Sequence, residues 1–278
     1  MSGPRPGTGP GAAPGTEAAP GDPPAFRLAV LASGSGSNLQ AIIDRLHRRP
    51  VGGAKAAPAG AAHAPAAQPP GTGSEPSAGA GPLIEVALVV SDVSGARALE
   101  RSRNAGIPTL VIPFEDYPSR EAHDLAMATA IKEAGADLVI LAGYMRLVSP
   151  AFVRAFPWRV INLHPALLPA FPGTTSIADA VCRGVKVTGV TVHFVDEDLD
   201  TGPIISQEPV RVQDGDTENS LAARIHAVEH RLLPATIRLI AAGRVRPPLP
   251  GSRVVKVDWT ADWTGEREGQ AQPGGGAG

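Results

Sequence analysis

The chain has 278 residues, 43% of them hydrophobic and 19% charged, with a formal net charge of −2. That balance, with a pI near 6.4, argues against a general nucleic-acid or membrane-surface binder, since anionic polymers and lipids attract strongly basic proteins. The lone Cys182 excludes an internal disulfide and a multi-cysteine zinc site, and it fits a reducing cytoplasm.

Glycine and proline, 32 and 29 residues, are unevenly spread. Residues 1–25 hold 6 Gly and 7 Pro, residues 51–82 hold 11 Ala, 7 Gly and 6 Pro, and residues 263–278 are Gly-rich and polar. Such stretches bury too little apolar surface to offset the entropy of ordering. The expectation is a disordered tail at 1–25, a single domain over 26–262 carrying a disordered insertion at 51–82, and a second tail at 263–278. On the order of 200 residues remain, enough for one complete core. The N-terminus has no apolar signal-peptide region, and no apolar run approaches the roughly 18 residues of a membrane span.

In chain order, Arg27 to Leu31 is a short apolar strand. The Gly-rich turn Ser33-Gly34-Ser35-Gly36-Ser37-Asn38 follows it, and then a helical pattern from Leu39. Strands are expected at Glu85 to Val90, Thr109 to Ile112, Asp137 to Leu141, Arg159 to Leu163 and Val187 to Val195. Helices are expected at Gly95 to Ala105, at Ser119 to Glu133 with Ser119 as half of a capping box, and at Thr217 to Ala242. Alternating strands and helices give an α/β fold, parallel at least through its first half. Ligands of such sheets sit beyond the carboxyl ends of the strands. The Ser/Gly turn, Gly143-Tyr144-Met145-Arg146 and Asn162/His164 all follow strand ends, so one rim should hold them.

The Ser/Gly turn puts backbone N–H groups and hydroxyls at a helix N-terminus, where a phosphate can sit. A tight turn with Ser or Asn capping the helix accounts for the same residues. It has neither the last glycine of a dinucleotide fingerprint nor the Gly-Lys-Ser/Thr of a P-loop. Asn162 and His164, two apart on a strand, share a face, and prolines 165 and 169 stop the strand. Asp200 follows in Asp198-Leu199-Asp200-Thr201-Gly202-Pro203. Amide, imidazole and carboxylate suit acyl transfer to nitrogen: the amide donates to an oxyanion, the imidazole moves a proton, and the carboxylate sets its charge and orientation. Asp196, Glu197 and Asp198 alone would be a solvated acidic loop.

Other candidates carry less. His193 lies in a strand with no partner evident from sequence and reads as structural, and His47 and His63 fall at or in flexible sequence. His226 and His230 share a helix face with Glu229 nearby, either as a surface cluster or as a substrate edge. Cys182 reads as helix packing, and Trp259 and Trp263 as packing for a last strand or turn. No paired metal-ligand spacing appears, so no metal site is expected.

Four segments together resemble the phosphoribosylglycinamide formyltransferase family. They are Ser33 to Gln40, Leu141 to Arg146, Ile161 to Pro165, and Thr188 to Phe194 with Asp198 to Pro203. The resemblance runs from about Arg27 to about Asp262, interrupted at 51–82. The Asn-x-His pair with its Asp marks the wider formyltransferase group, and the Ser-Gly-x-Gly-Ser-Asn turn narrows it.

The resemblance implies a single-domain, Rossmann-like formyltransferase fold, with a central, mostly parallel twisted sheet and helices on both faces. It implies transfer of formyl from 10-formyltetrahydrofolate, as co-substrate, to the amine of glycinamide ribonucleotide, in the cytoplasm and on the route to purines. Gly36, Ser37 and Asn38 would hold the phosphate, and His226 and Glu229 the glycinamide and ribose side. Arg120 and the loop Met145, Arg146, Leu147 and Val148 would contact the folate, with Asn162, Asp196, Glu197, Asp198 and Leu199 bordering its pterin. His164, Asn162 and Asp200 would be catalytic. The implied partners are small molecules rather than nucleic acid or membrane, and a monomer and a homodimer both remain open.

One position departs from the family, which commonly has a histidine where Thr175 stands after Phe171-Pro172-Gly173-Thr174. A threonine keeps a hydrogen bond but carries no charge. Rival readings are a formyltetrahydrofolate hydrolase, another formyltransferase of this fold, or a non-catalytic folate- or nucleotide-binding module.

Overall fold

Strand β1 (Phe26–Leu31) and helix α1 (Ser37–Leu46) form the unit on which the rest is layered. The computed structural model describes residues 25–51 and 82–259. The expected tails and insertion, apart from Ala25, Val51 and Pro82, lie outside the described residues, as do His63 and Trp263. After α1 come β2 (Arg49–Pro50), β3 (Leu83–Ser91), α2 (Arg97–Asn104), β4 (Thr109–Val111), a 3-10 turn at Phe114–Asp116 and α3 (Arg120–Glu133). Then follow β5 (Leu138–Leu141), α4 (Pro150–Ala155), β6 (Val160–His164), α5 (Ser176–Cys182), β7 (Val187–Phe194) and β8 (Ile204–Arg211). Helix α6 (Glu218–Ala241) and a ribbon of β9 (Val245–Arg246) and β10 (Lys256–Val257) complete the described chain.

The main sheet runs β2-β3-β1-β5-β6-β7-β8, with β4 also paired to β3. The β3–β1, β1–β5, β5–β6 and β3–β4 pairs are parallel; β6–β7, β7–β8 and β2–β3 are antiparallel. The fold is thus α/β, with a mixed, largely parallel sheet. Along β1, Leu28 and Val30 enter one apolar cluster and Ala29 and Leu31 the other, as the period of two requires. The first cluster takes Leu39 and Ile42 of α1 and Leu221 and Ile225 of α6; the second takes Met127 and Ile131 of α3 and Phe152 of α4. With helices on both faces, the central strands are mostly apolar, and each fully buried Leu or Ile contributes about 1.5–3 kcal/mol.

Strand β8 and helix α4 are not among the elements expected from sequence. Pro209 interrupts the strand pattern, yet β8 lies at the sheet edge, where a missing N–H is tolerated. Helix α4 spans 6 residues, too few for a periodic signal, and Ser149 caps it by accepting from Phe152 N–H. The expected start of the insertion is also corrected, because Val51 is buried in the core and its N–H donates to Pro82 O at 3.0 Å. His47 is fixed rather than flexible: its Nδ1 accepts from Val86 N–H at 3.0 Å. Cys182 is exposed rather than packed, and Trp259 lies just after β10, 43% exposed.

The strand order reverses direction of travel at β1, with β3 on one side and β5 on the other. A crevice therefore opens beyond the carboxyl ends of β1 and β5, between the turns that follow them.

Candidate active site

That crevice is a cavity of about 310 Å³. Its walls come from the turn after β1, the loop after β5, the end of β6, the segment at Gly173 and Thr174, the end of β7, Asp198 to Asp200, and α6.

At one end lies the turn into α1. Gly36 has φ 67°, and a Cβ there would lie 2.7 Å from Ala98 Cα of α2, so only glycine lets α2 pack beneath the turn. Two carbonyls of the turn are drawn toward α2: Ala98 N–H donates to Gly34 O (3.2 Å) and Arg101 Nε–H to Ser35 O (2.9 Å). No side chain caps α1, and its first turn holds no acidic residue. The first N–H groups of the helix are therefore offered to an anion at the positive end of its dipole. This removes the alternative in which Ser or Asn caps the helix.

Asn38 is tied to α6, its Nδ2–H donating to Glu229 Oε2 at 2.9 Å. The same oxygen meets His226 Nδ1 at 2.8 Å. Glu229 is buried, and this hydrogen bond raises the His226 pKa above its ordinary value. His230 stacks on His226 at 6.4 Å, and burial lowers its pKa.

At the centre, Asp200 holds φ 53°, a left-handed conformation that Asp tolerates better than most residues. Its Oδ2 accepts from Gly173 N–H at 2.8 Å and lies 3.4 Å from His164 Nδ1; its Oδ1 accepts from Asn162 Nδ2–H at 3.3 Å. His164 Nε2 is 2.7 Å from Phe171 O, and a carbonyl only accepts, so Nε2 carries a hydrogen. Nδ1 is then the ring nitrogen left to face the carboxylate. The left-handed turn at Asp200 is closed by Gly202, where a Cβ would lie 1.7 Å from Phe194 O.

His193 joins this set. It is paired with Asn162 across β6–β7, and its Nε2 lies 3.2 Å from Asn162 Nδ2. Its Nδ1 donates to Phe194 O at 2.8 Å, which leaves Nε2 as an acceptor for the amide. Burial lowers the His193 pKa, so the neutral ring is favoured.

At the other end, Gly143 to Val148 form an irregular loop in which Met145 is well exposed. Arg146 Nε–H donates to Asp92 Oδ2 at 2.7 Å, and its guanidinium lies 4.2 Å from the Phe114 ring centroid. The Tyr144 hydroxyl has its pKa raised, by burial first and by Asp92 second, and stays protonated.

Comparison with known proteins fits this geometry. A family model described as formyl transferase matches residues 74–237. A phosphoribosylglycinamide formyltransferase of Mycobacterium tuberculosis is 41% identical over 215 residues, covering 77% of this chain and 85% of that protein. The chain belongs to the phosphoribosylglycinamide formyltransferase family. A glycinamide ribonucleotide transformylase 1 structure from Symbiobacterium toebii is similar with a TM-score of 0.69 and 42% identity, covering 84% of this chain and 94% of that one. The trifunctional purine biosynthetic protein adenosine-3 of Drosophila pseudoobscura pseudoobscura is 40% identical over 223 residues; these are 80% of this chain but only 14% of that protein.

Of the residues that family resemblance singled out, the cavity is lined by Gly36, Ser37, Asn38, Met145, Arg146, Leu147, Val148, Asn162, His164, Asp198, Leu199, Asp200, His226 and Glu229. Arg120, Asp196 and Glu197 do not line it. Arg120 opens α3. Asp196 accepts from Thr201 Oγ1–H at 2.7 Å, and Glu197 pairs with Arg154 at 2.6 Å on the surface. Thr175 is also outside the lining; it precedes α5 and donates to Asp179 Oδ2 at 2.8 Å. The sequence reading of His193 as structural named no partner for it; the partner is Asn162, and the one signal was an imidazole in an otherwise uncharged, β-branched strand. Among the described residues no group of three or more His, Cys, Asp or Glu is placed to hold a metal ion, and no helix is long and apolar enough to cross a membrane.

Proposed function

We propose that the protein transfers the formyl group of 10-formyltetrahydrofolate to the amine of glycinamide ribonucleotide, giving N-formylglycinamide ribonucleotide and tetrahydrofolate, a step of purine synthesis. The observation that carries this reading is a single cavity joining an uncapped helix N-terminus to an amide, imidazole and carboxylate set. The phosphate sits on the N–H groups at Gly36, Ser37 and Asn38, with His226 and Glu229 on the ribose and glycinamide side. The pterin enters beneath Met145 to Val148, bordered by Asp198 and Leu199. Arg120, outside the cavity, meets only the far end of the folate.

The amine nitrogen attacks the formyl carbon, and the carbonyl oxygen gains the negative charge. Asn162 Nδ2–H and the Nδ1–H of protonated His164 donate to that oxygen. His164 has no other ring nitrogen to offer, because Nε2–H is held by Phe171 O. The bond from Asn162 to the Asp200 carboxylate is long at 3.3 Å, so turning it to an oxyanion exchanges a stretched bond to one anion for a shorter bond to another. Asp200 balances the imidazolium and takes the proton from the attacking amine through a water. Collapse breaks the carbon–nitrogen bond to the folate, and the same proton is returned to the leaving nitrogen. Removing one such donor costs about 100- to 1000-fold in rate.

The test is consumption of 10-formyltetrahydrofolate by the purified protein with and without glycinamide ribonucleotide. Conversion that requires the ribonucleotide and yields its formyl derivative supports the reading. Conversion at the same rate without it identifies a hydrolase, and no conversion identifies a binding module.

A further inference from the structure

We infer that Asp92 is a positioning residue that holds the Gly143–Val148 loop in its ligand-binding shape through two arms, Ser33 and Arg146. The carboxyl ends of three neighbouring strands meet here: Asp92 directly follows β3, Ser33 follows β1, and the loop follows β5. Asp92 Oδ1 accepts from Ser33 Oγ–H at 2.6 Å. The Ser33 oxygen in turn accepts from Met145 N–H at 3.1 Å, and Ser33 N–H donates to Gly143 O at 3.0 Å. Asp92 Oδ2 accepts from Arg146 Nε–H at 2.7 Å, while the Phe114 ring supports the face of the guanidinium.

The Asp92 side chain is only 4% exposed, so its charge is balanced by these partners rather than by water. The loop has other anchors: Ala142 N–H on Leu31 O and Ser149 N–H on Asp124 at its ends, buried Val148, and Tyr144, which packs on the second apolar cluster with its hydroxyl 3.6 Å from Met127 Sδ. Met145 and Leu147 between them are exposed, and there the Asp92 network is the polar support. Two charge-assisted bonds radiating from one carboxylate thus set where the mid-loop backbone stands. Both arms use a carboxylate oxygen as acceptor, which an alanine lacks and an asparagine only half supplies.

The functional half of this inference rests on the proposed folate role of the loop, so the experiment has two readouts on the full chain. The first is amide hydrogen exchange. In Asp92→Ala, the peptide covering residues 142–148 should exchange at least about tenfold faster, with the β5 peptide unchanged. The second is kinetic: the KM for 10-formyltetrahydrofolate should rise about tenfold, with that for glycinamide ribonucleotide within about twofold. Asp92→Asn, which keeps an acceptor for Ser33 but turns an N–H₂ toward Arg146, should recover part of both effects. Ser33→Ala combined with Asp92→Ala should add little to the single changes, since they break one network. Unchanged exchange in Asp92→Ala overturns the positioning role, whether or not the proposed reaction is correct. Faster exchange with both KM values raised equally overturns the specific link to the folate side. A wild-type protein that does not turn over speaks against the reaction alone, because exchange still decides the positioning.

Discussion

Asn162 and His193 face each other across the antiparallel β6–β7 pair, with amide Nδ2 3.2 Å from imidazole Nε2. The histidine is a fixed acceptor there because its other nitrogen donates to Phe194 O. One amide hydrogen of Asn162 is thus committed to His193 and the second points toward Asp200. The antiparallel pairing of β7 makes this possible, since it returns a buried polar side chain to the level of Asn162 in the middle of β6.

His193 should make the fold sensitive to acid. Burial lowers its pKa below the 6.5 of a free histidine. Between those two values the unfolded chain binds a proton that the folded one refuses, so stability is complete above about pH 6.5 and falls as the pH is lowered. His47 and His230 are shifted in the same direction and contribute the same sign. His193→Gln should flatten the acid side of a plot of Tm against pH relative to wild type, without removing the slope. Parallel curves for the two proteins would show that His193 titrates alike in the folded and unfolded states.

Asp200→Asn separates charge from shape. The carboxylate accepts from both Gly173 N–H and Asn162 and faces His164 Nδ1, so an amide must turn an N–H₂ toward a donor on one side. On the proposed mechanism kcat falls at least about 100-fold, with KM values changed much less, as for an interaction made chiefly in the transition state. A melt of the same sample gives the folded fraction. Near-normal kcat for that fraction would reduce Asp200 to the closing residue of a turn.

Much of the fold and part of the site were legible in the sequence, for physical reasons that differ by element. Strands buried on both faces, such as Leu138–Leu141, announce themselves as apolar runs, and long α6 by its periodicity. Edge strand β8 was hidden by Pro209, and α4 by its shortness. Residues set by local sequence, such as Gly36 in the turn before α1 and Asn162 two before His164 on β6, lie in recognisable patterns. His193 and Asp92 do not, because their meaning comes from non-local pairing: one lies 31 residues from its partner Asn162, and the other 59 from Ser33 and 54 from Arg146.

The segment between Val51 and Pro82 offers a simple excision. The chain leaves and re-enters the described fold at a hydrogen-bonded pair, Val51 N–H to Pro82 O at 3.0 Å, beside the antiparallel β2–β3 ladder. Replacing residues 52–81 by a short Gly/Ser turn therefore closes a gap already at bonding distance, and loop entropy varies slowly with length. Tm and turnover should stay near wild type. A loss of several degrees in a thermal melt would show that the replaced residues pack on the domain.

Gly36→Ala tests the phosphate end with the smallest possible change. The added methyl group meets two obstacles. The φ of 67° is left-handed, which alanine adopts at a cost of about 1–2 kcal/mol, and the new Cβ would sit 2.7 Å from Ala98 Cα, which is backbone and cannot swing aside. The turn must then lift from α2, loosening the bonds that draw the Gly34 and Ser35 carbonyls away from the cavity and tilting the helix N–H groups off the phosphate. The expected result is a rise of at least about tenfold in the KM for glycinamide ribonucleotide, with the KM for the folate changed little. Ser37→Ala, which removes a hydroxyl but leaves the backbone in place, should raise the same constant by a smaller factor. If Gly36→Ala weakens both substrates equally, or the folate alone, the helix N-terminus is not where the ribonucleotide phosphate binds.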